Sequence, residues 1–328
     1  MVEHQLPKLR VAGSNPVFRS KPSFMQKVVA LGETVLDILF RGNEPMAATA
    51  GGAMLNTSVS LGRMKLPVFL VSEIGNDIPG KIIKDFLKDN GVNTTFLKVY
   101  ESGQTPVAIA LLDKEGNAKY SFYKNYPEKR FLLHAPQFLE GDFLIFGSFY
   151  SLTPGIREDI ITFLEKAREN MATIIYDPNI RKNHAHQVSS LRYEIMENFR
   201  FANIIRASTE DLLNIFGDEE LDKIVEMTGR TKVFIITQGS GEVIVYCSRN
   251  RYQFPVKNIK AISTVGAGDT FNAGLIYSLY RRNISPGNLL LLNKQEWESV
   301  IEMASRFAAN ACLGFENYIS KEFAENIQ

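Results

Sequence analysis

The sequence is poor in the residues that build disulfide frameworks and metal sites. Its 328 residues include two cysteines, Cys247 and Cys312, and four histidines. Two cysteines in a chain of this length do not make a disulfide framework, and neither residue type shows the spacing of a metal-ligand set. We therefore expect a protein of the reducing cytoplasm, with no metal held by cysteine or histidine.

Long apolar runs and an excess of one charge are also missing. No run approaches the roughly 18 apolar residues that span a bilayer, and the run Leu289–Leu292 is far too short. The 37 basic and 36 acidic residues give a net charge of +1, which argues against a nucleic-acid partner bound through a bulk basic field. We expect no membrane and no nucleic-acid partner. The hydrophobic share of 45% is ordinary for a globular protein of one large α/β domain or two smaller ones.

The first 25 residues differ from the rest of the chain. They carry four basic side chains against the single acidic Glu3 and contain no continuous apolar segment. Such a segment buries too little apolar surface to offset the entropy of ordering it. We predict a disordered tail over residues 1–25 and a folded domain over 26–328. Because Met25 stands just before the first strand-like run, we hypothesise that it is an alternative start.

The remainder alternates between short apolar runs and helical patterns. A helix is predicted over 81–90, ending at Gly91, and another after Thr153-Pro154, which would supply its cap and first residue. Several apolar runs are continuous, which is typical of strands buried on both faces. This alternation predicts a doubly wound, mostly parallel α/β sheet. The strand-like runs are Val28–Leu31, Val68–Val71, Phe143–Phe146, Thr173–Tyr176, Ile204–Ile205, Val233–Ile236 and Val243–Tyr246.

One segment breaks the α/β pattern. Apolar residues alternate from Val107 to Leu111, a Lys-Glu-Gly-Asn turn follows at 114–117, and alternation resumes from Tyr120 to Lys124. This pattern predicts a β-hairpin. We expect it to form a small β lid from segments at about 36–50 and 106–125.

The most informative stretch lies at 263–271, Ser-Thr-Val-Gly-Ala-Gly-Asp-Thr-Phe, immediately before a helical pattern. Glycines at this position let the backbone approach a ligand, and a helix N-terminus favours an anion. A carboxylate beside an anion site, here Asp269, is explained if it serves as a base for a hydroxyl that attacks a phosphoryl group. No Lys follows the glycines, so this is not a P-loop.

Four elements in order carry a resemblance to a known family. Residues 263–271 resemble the C-terminal signature of the ribokinase-like (PfkB) carbohydrate kinases, and Gly-Gly-Ala-Met-Leu-Asn at 51–56 resembles their glycine-pair signature. Asp-Pro-Asn-Ile-Arg at 177–181 and Gly-Glu with Asp at 32–37 resemble elements of the fructokinase and 2-keto-3-deoxygluconate kinase branch. The resemblance implies a ribokinase-like fold and ATP-dependent phosphorylation of a primary sugar hydroxyl, with D-fructose as the expected acceptor and fructose 6-phosphate as the product.

The resemblance also implies roles for individual residues. Asp269 would be the general base, and the amides of Gly266, Ala267 and Gly268 would form the anion hole for the transferring phosphoryl group. Asp211 would act on Mg²⁺ through water. The implied substrate-binding residues are Asp37, Gly51, Gly52, Asn56, Lys124 and Arg181. The implied nucleotide-binding residues are Thr237, Gly239, Gly241 and Asn310.

Departures from the family pattern leave alternatives open. Ser263 replaces an aspartate that relatives tie to a monovalent-cation site, so we expect weak or absent activation by potassium. The magnesium element aligns with residues 208–211, where Asp211 is one methylene shorter than the usual glutamate. Ketodeoxygluconate, ribose, a nucleoside or a phosphorylated sugar remain possible acceptors, as does a non-catalytic sugar- or nucleotide-binding protein on the same fold. Lids of this type often pair between subunits, so a homodimer is plausible.

Overall fold

The fold was analysed on a computed structural model, which describes residues 26–112, 118–132, 136–180 and 185–327. The predicted tail at 1–25, the turn at 114–117 and Arg181 lie outside the described residues.

A large sheet organises the described chain. Its strands lie in the order β14-β13-β12-β11-β10-β9-β1-β4-β5, and β6 also pairs with β4. Neighbours from β12 through β5 run parallel, while β13 and β14 are antiparallel to the strands beside them. The strands are β1 (Val28–Leu31), β4 (Val68–Gly75), β5 (Val92–Asn93), β6 (Leu97–Tyr100), β9 (Phe143–Gly147), β10 (Thr173–Asp177), β11 (Ile204–Ser208), β12 (Val233–Thr237), β13 (Glu242–Cys247) and β14 (Asn250–Pro255).

Helices cover both faces of this sheet. In β1, Val28 and Ala30 pack into the cluster that contains α1, α8 and α9, while Val29 and Leu31 pack into the cluster that contains α3 and α5. Strands covered on both faces need continuous apolar sequence, which explains the runs in the sequence. The helices are α1 (Ala53–Arg63), α2 (Ile78–Asp89), α3 (Arg157–Glu169), α4 (Ala185–Val188), α5 (Arg192–Phe201), α6 (Thr209–Phe216), α7 (Leu221–Thr228), α8 (Ala267–Arg281), α9 (Lys294–Cys312) and α10 (Lys321–Ile327).

A second, small sheet has the order β3-β2-β7-β8. Its strands are β2 (Val35–Arg41), β3 (Glu44–Gly51), β7 (Gln104–Leu112) and β8 (Ala118–Asn125). The antiparallel pairing of β7 with β8 confirms the predicted hairpin. The parallel pairing of β2 with β7 joins two segments far apart in sequence. Because β2 begins soon after β1 ends, the small sheet stands beside the carboxyl edge of the large one.

The predicted start of the helix after Thr153-Pro154 is wrong. Residues Pro154–Ile156 form a separate 3₁₀ turn, and the α-helix begins only at Arg157. The Thr153 hydroxyl does not cap either element, because it donates to Phe149 O at 3.3 Å instead. By contrast, the seven predicted strands and the helix that ends before Gly91 are all present. The expected doubly wound, mostly parallel α/β fold is therefore confirmed.

Candidate active site

The N-terminus of α8 is built on a left-handed glycine. Gly266 has a φ of 78°, and a Cβ there would lie 2.3 Å from the Asn317 carbonyl oxygen. Only glycine fits both the conformation and the space. The first N–H groups of a helix have no intrahelical acceptor and point out of its end. One of the predicted anion-hole amides is partly engaged, because Ala267 N donates to Thr264 O at 3.3 Å, a long hydrogen bond.

Asp269 lies in the first turn of α8 and is held by α1. Its Oδ2 accepts a hydrogen bond from Asn56 Nδ2 at 2.8 Å, and its carbonyl accepts one from the Thr57 hydroxyl at 2.9 Å. Asp269 is 6% exposed, and that exposed surface faces open space, since the residue lines two cavities. The sequence predicted that Asn56 binds the sugar. In the structure, Asn56 also donates a hydrogen bond to Asp269, the predicted base.

The first of these, the small-sheet cavity, has a volume of about 250 Å³ and lies between the small sheet and the large one. It brings together five predicted substrate or catalytic residues that are distant in sequence. These are Asp37, Gly52, Asn56, Lys124 and Asp269. Gly51 stands behind the cavity, where its missing side chain leaves room for the Asp37 carboxylate: a Cβ would lie 2.3 Å from Asp37 Oδ2.

A separate cavity of about 410 Å³, the helix cavity, is not lined by Asp269 and lies between the β12–β14 strands and helices α8 and α9. Predicted residues in its lining are Thr237, Gly239, Ala267 and Gly268. Its remaining lining includes apolar surface from Phe271, Ala308 and Cys312.

Two predicted nucleotide residues do not line the helix cavity. Gly241 closes the β12–β13 turn by donating to Gln238 O at 3.0 Å. The Asn310 side chain turns toward the chain end, where its Oδ1 accepts from Ser320 N at 2.8 Å. Both residues make hydrogen bonds to the backbone outside the cavity. Residues close to them in sequence, Gly239 and Ala309, line the cavity instead.

A connecting cleft joins the two cavities. It shares Asp269 and Asn179 with the small-sheet cavity and shares Arg206 and Gly268 with the helix cavity. Gly266 also lines it. The predicted base and the N-terminus of α8 therefore stand in the cleft through which the small-sheet cavity and the helix cavity meet.

Sequence reasoning missed Arg206, which lies on β11 and is 8% exposed. Its Nη1 donates to Asp177 Oδ2 at 3.2 Å and its Nη2 donates to the Thr237 hydroxyl at 2.9 Å. A Cβ on Gly268 would lie 2.8 Å from Nη1, so the absent side chain lets the guanidinium approach the start of α8. The available signal was an arginine within an otherwise apolar strand.

Asp177, at the end of β10, anchors this arginine from within the core. It is fully buried, and Asn272 Nδ2 donates to its Oδ2 at 2.6 Å. Burial raises the pKa of Asp177 to about 6; Arg206 opposes the rise, while the nearby carboxyl groups of Asp211 and Asp269 add to it. The carboxylate therefore depends on Arg206 to stay charged near neutral pH.

Asp211, predicted to act on magnesium, completes a capping box with Ser208, the N-cap of α6. Its Oδ2 accepts from the backbone and hydroxyl of Ser208, at 2.7 and 2.6 Å, and its Oδ1 accepts from Ile180 N at 2.6 Å. A carboxylate has about four acceptor positions, so three protein donors leave about one for a water. Asp211 and the neighbouring Glu210 both line the connecting cleft.

At the entrance of the small-sheet cavity, Lys124 is already paired. Its Nζ donates to Glu33 Oε2 at 2.7 Å, and Tyr126 donates its hydroxyl to Glu33 Oε1 at 2.7 Å. Any contact between Lys124 and a substrate would therefore be made by an ammonium group that is already paired with the Glu33 carboxylate.

The described residues contain no group of three or more His, Cys, Asp or Glu side chains placed to hold a metal ion. In the same part of the chain, no helix combines the length and apolar character needed to cross a bilayer.

Comparison with known proteins gives consistent matches along most of the chain. The sequence profile described as "pfkB family carbohydrate kinase" matches residues 25–321. The chain is 29% identical over 288 residues to a fructokinase of Rhizobium leguminosarum bv. trifolii, with 85% of each chain covered.

Solved structures share the fold. A fructokinase from Vibrio cholerae, in a form bound to fructose, ADP and calcium ion, has a TM-score of 0.76 at 21% identity, covering 88% of this chain and 94% of that one. Aminoimidazole riboside kinase from Salmonella enterica, complexed with aminoimidazole riboside and an ATP analog, has a TM-score of 0.76 at 19% identity, covering 92% of this chain and 98% of that one.

Proposed function

The chain belongs to the pfkB family of carbohydrate kinases, and from this premise we propose that it transfers the γ-phosphoryl group of ATP to the primary hydroxyl of a small sugar, D-fructose in the first instance. The observation that carries the proposal is the position of Asp269. It lines both the small-sheet cavity and the connecting cleft, where it stands beside the N-terminus of α8.

The small-sheet cavity is the proposed sugar site. Carboxylates of Glu33 and Asp37 and the amide of Asn56 line it, and such groups accept from and donate to the hydroxyls of a polyol. The volume of about 250 Å³ suits one small ring. The cavity is covered by the small sheet, whose closure on the sugar would exclude water and limit idle hydrolysis of ATP.

The helix cavity is the proposed nucleotide site. Its apolar lining from Phe271 and Ala308 suits the adenine ring of a nucleotide. Its opening toward Gly268 and Arg206 suits the phosphates. Arg206 adds a fixed positive charge beside the start of α8, in a place where water is largely excluded. Support for ATP comes from the relatives, since the Vibrio fructokinase structure holds ADP and the riboside kinase structure holds an ATP analog.

The residues present fit a magnesium ion that is held mainly by the nucleotide and water. Asp211 retains about one free acceptor position, and Glu210 faces the same cleft. When bound, the ion would neutralise phosphate charge. Asp211 and Glu210 would accept hydrogen bonds from its waters.

The proposed reaction is an in-line displacement. Asp269 takes the proton of the sugar hydroxyl as its oxygen bonds to the γ-phosphorus, and the bond from that phosphorus to the bridging oxygen of ADP breaks. The hydrogen bond from Asn56 to one carboxylate oxygen of Asp269 helps to orient this carboxylate toward the small-sheet cavity. The N-terminal amides of α8 and the Arg206 guanidinium stabilise the charge on the transferring group.

A panel of acceptors tests this proposal. ADP release from ATP is measured with fructose, glucose, ribose, 2-keto-3-deoxygluconate and a nucleoside, with mass analysis of the product. We expect the highest kcat/KM for fructose, with the phosphate on its primary hydroxyl. Turnover with a different acceptor alone would overturn the fructose assignment. Binding of a sugar without transfer to any acceptor would instead identify a sugar-binding protein on this fold.

A further inference from the structure

Glu73 places a carboxylate on an apolar face of β4. It comes two residues after Val71, so the two side chains point to the same face of the sheet. On that face Val71 packs in the cluster that includes Leu132 and Tyr150. Glu73 is 1% exposed, and a carboxylate buried to this degree is costly unless its oxygens are hydrogen-bonded and its charge is paired.

Donors from three segments surround the Glu73 carboxylate. The Arg130 guanidinium donates through Nε to Oε1 at 3.2 Å and through Nη2 to Oε2. The Tyr100 hydroxyl donates to Oε1 and the Tyr150 hydroxyl donates to Oε2, each at 2.8 Å. Because a carboxylate has about four acceptor positions, these four bonds leave none for a ligand. Glu73 therefore acts on other side chains and not on a substrate.

One of these donors forms part of the wall of the small-sheet cavity. Tyr150 lies in the 3₁₀ turn Phe149–Leu152 and lines the cavity. Burial, together with the charge of Glu73, raises the pKa of Tyr150, so the hydroxyl keeps its proton and remains a donor. The position of this part of the wall therefore depends on the position of the Glu73 carboxylate.

A second chain of contacts runs from Glu73 to another residue of the cavity lining. The Arg130 guanidinium lies 3.8 Å from the centre of the Tyr126 ring. The Tyr126 hydroxyl donates to Glu33 Oε1 at 2.7 Å, and Glu33 lines the cavity. Tyr126 is the first residue after β8, so these contacts also fix the point at which the chain leaves the small sheet.

Stability alone does not explain the pair of Glu73 and Arg130. Apolar side chains of similar volume often stabilise a core as well as a buried ion pair does, whereas an ion pair can fix the positions of the groups bonded to it. Here those groups lead to Tyr150 and Glu33, two lining residues from different segments of the chain.

We infer that Glu73 is a positioning residue of the sugar site, which holds Tyr150 directly, and Glu33 through Arg130 and Tyr126, at the spacing that binds the acceptor. The inference rests on the proposed function and adds to it a residue that does not touch the substrate.

The test separates positioning from stability. KM for fructose, KM for ATP and kcat are measured in the wild type and in Glu73→Gln, which keeps the shape of the side chain and removes the charge that pairs with Arg130. Asp142→Asn is the matched control, because Asp142 is also buried, pairs with Lys27 and does not line the small-sheet cavity. The basic partners are similarly covered, since the side chain of Arg130 is 12% exposed and that of Lys27 is 15% exposed.

We expect Glu73→Gln to raise KM for fructose about tenfold and to leave KM for ATP within twofold. Asp142→Asn should leave both KM values within twofold, because a smaller folded fraction lowers the apparent kcat without changing KM. Tyr126→Phe removes only the hydroxyl that binds Glu33 and should raise KM for fructose at least threefold. Since both changes act on the position of Glu33, the double variant of Glu73→Gln with Tyr126→Phe should raise KM by less than the product of the two single effects.

Three results would overturn the inference. They are a rise of less than threefold in KM for fructose in Glu73→Gln, an equal rise in Asp142→Asn, and effects that multiply in the double variant. If Glu73→Gln does not fold, Tyr126→Phe and Tyr150→Phe carry the test, because each removes one hydroxyl. Each should then raise KM for fructose at least threefold, and values within twofold of the wild type in both would overturn the inference.

Failure of the proposed function gives a different result. If the wild type phosphorylates another acceptor, KM for that acceptor is compared across the same variants. If the wild type transfers phosphate to no sugar, the proposed function is refuted, and the calorimetric Kd for the sugar decides the role of Glu73 by the same thresholds. A wild type that neither phosphorylates nor binds any sugar would refute both.

Discussion

Replacing Gly266 by alanine tests the geometry of the proposed anion hole. Alanine at a φ of 78° costs roughly 1–2 kcal/mol in the left-handed region. Its Cβ would also lie 2.3 Å from Asn317 O, whereas ordinary contact begins at 3.4 Å. The start of α8 must therefore move by about 1 Å, and a displacement of that size at a reacting centre costs roughly 100-fold in rate.

The assay follows ADP release with fructose, together with denaturant unfolding of the same samples. We expect kcat to fall about 100-fold and the free energy of unfolding to fall by about 2 kcal/mol. KM for the sugar should stay within threefold, because the proposed sugar contacts come from α1 and the small sheet.

Gly42→Ala is the control for backbone strain. Gly42 has a φ of 60° and no atom within 4 Å of its added Cβ, so alanine there should cost about 1 kcal/mol of stability and leave kcat at half the wild-type value or more. A folded Gly266→Ala protein with kcat within threefold of the wild type would refute the reasoning, because the amides could then move without consequence.

Three further changes test the surroundings of the site. Arg206→Met removes the cationic partner of the buried Asp177 and should lower the free energy of unfolding by about 3–5 kcal/mol. Most of this loss should be recovered when Asp177→Asn is added. Additive losses of the two variants in denaturant unfolding would contradict the pairing. Since the pKa of Asp177 is raised from 3.8 to about 6, its contribution to stability is fully present below pH 3.8 and is lost as the pH rises through about 6. The stability of Asp177→Asn relative to the wild type should therefore increase by about 2 kcal/mol between pH 4 and 7, and a pH-independent difference would contradict the raised pKa of Asp177. With Ser263 in place of a carboxylate, potassium at fixed ionic strength should change kcat less than twofold, and a large increase would show that the cation site does not need that charge.

The local patterns of the sequence predicted the strands and the hairpin because those signals are short-range. Continuous apolar runs such as Val28–Leu31 correspond to strands covered on both faces. The prediction at Thr153-Pro154 failed because a proline fits the first residue of a 3₁₀ turn as well as that of an α-helix, and only packing distinguishes the two.

The site was predicted as a set of residues, without the partners that hold them. Asn56 and Asp269 are 213 positions apart, and their hydrogen bond follows from the packing of α1 against α8. The pairing of Lys124 with Glu33 spans 91 positions, so the lysine could be predicted to face the cavity but not to be neutralised there. Arg206 was missed because its position at the start of α8 depends on Asp177 and on the missing Cβ of Gly268.

In the proposed function, the Asp269 carboxylate is the base that deprotonates the acceptor hydroxyl. Asp269→Asn keeps the shape of the side chain and can still bond to Asn56, so single-turnover phosphoryl transfer and calorimetric sugar binding can be compared in the same protein. We predict that the transfer rate falls by roughly 10²–10⁴-fold, while the sugar Kd stays within threefold. A transfer rate within tenfold of the wild type would contradict it.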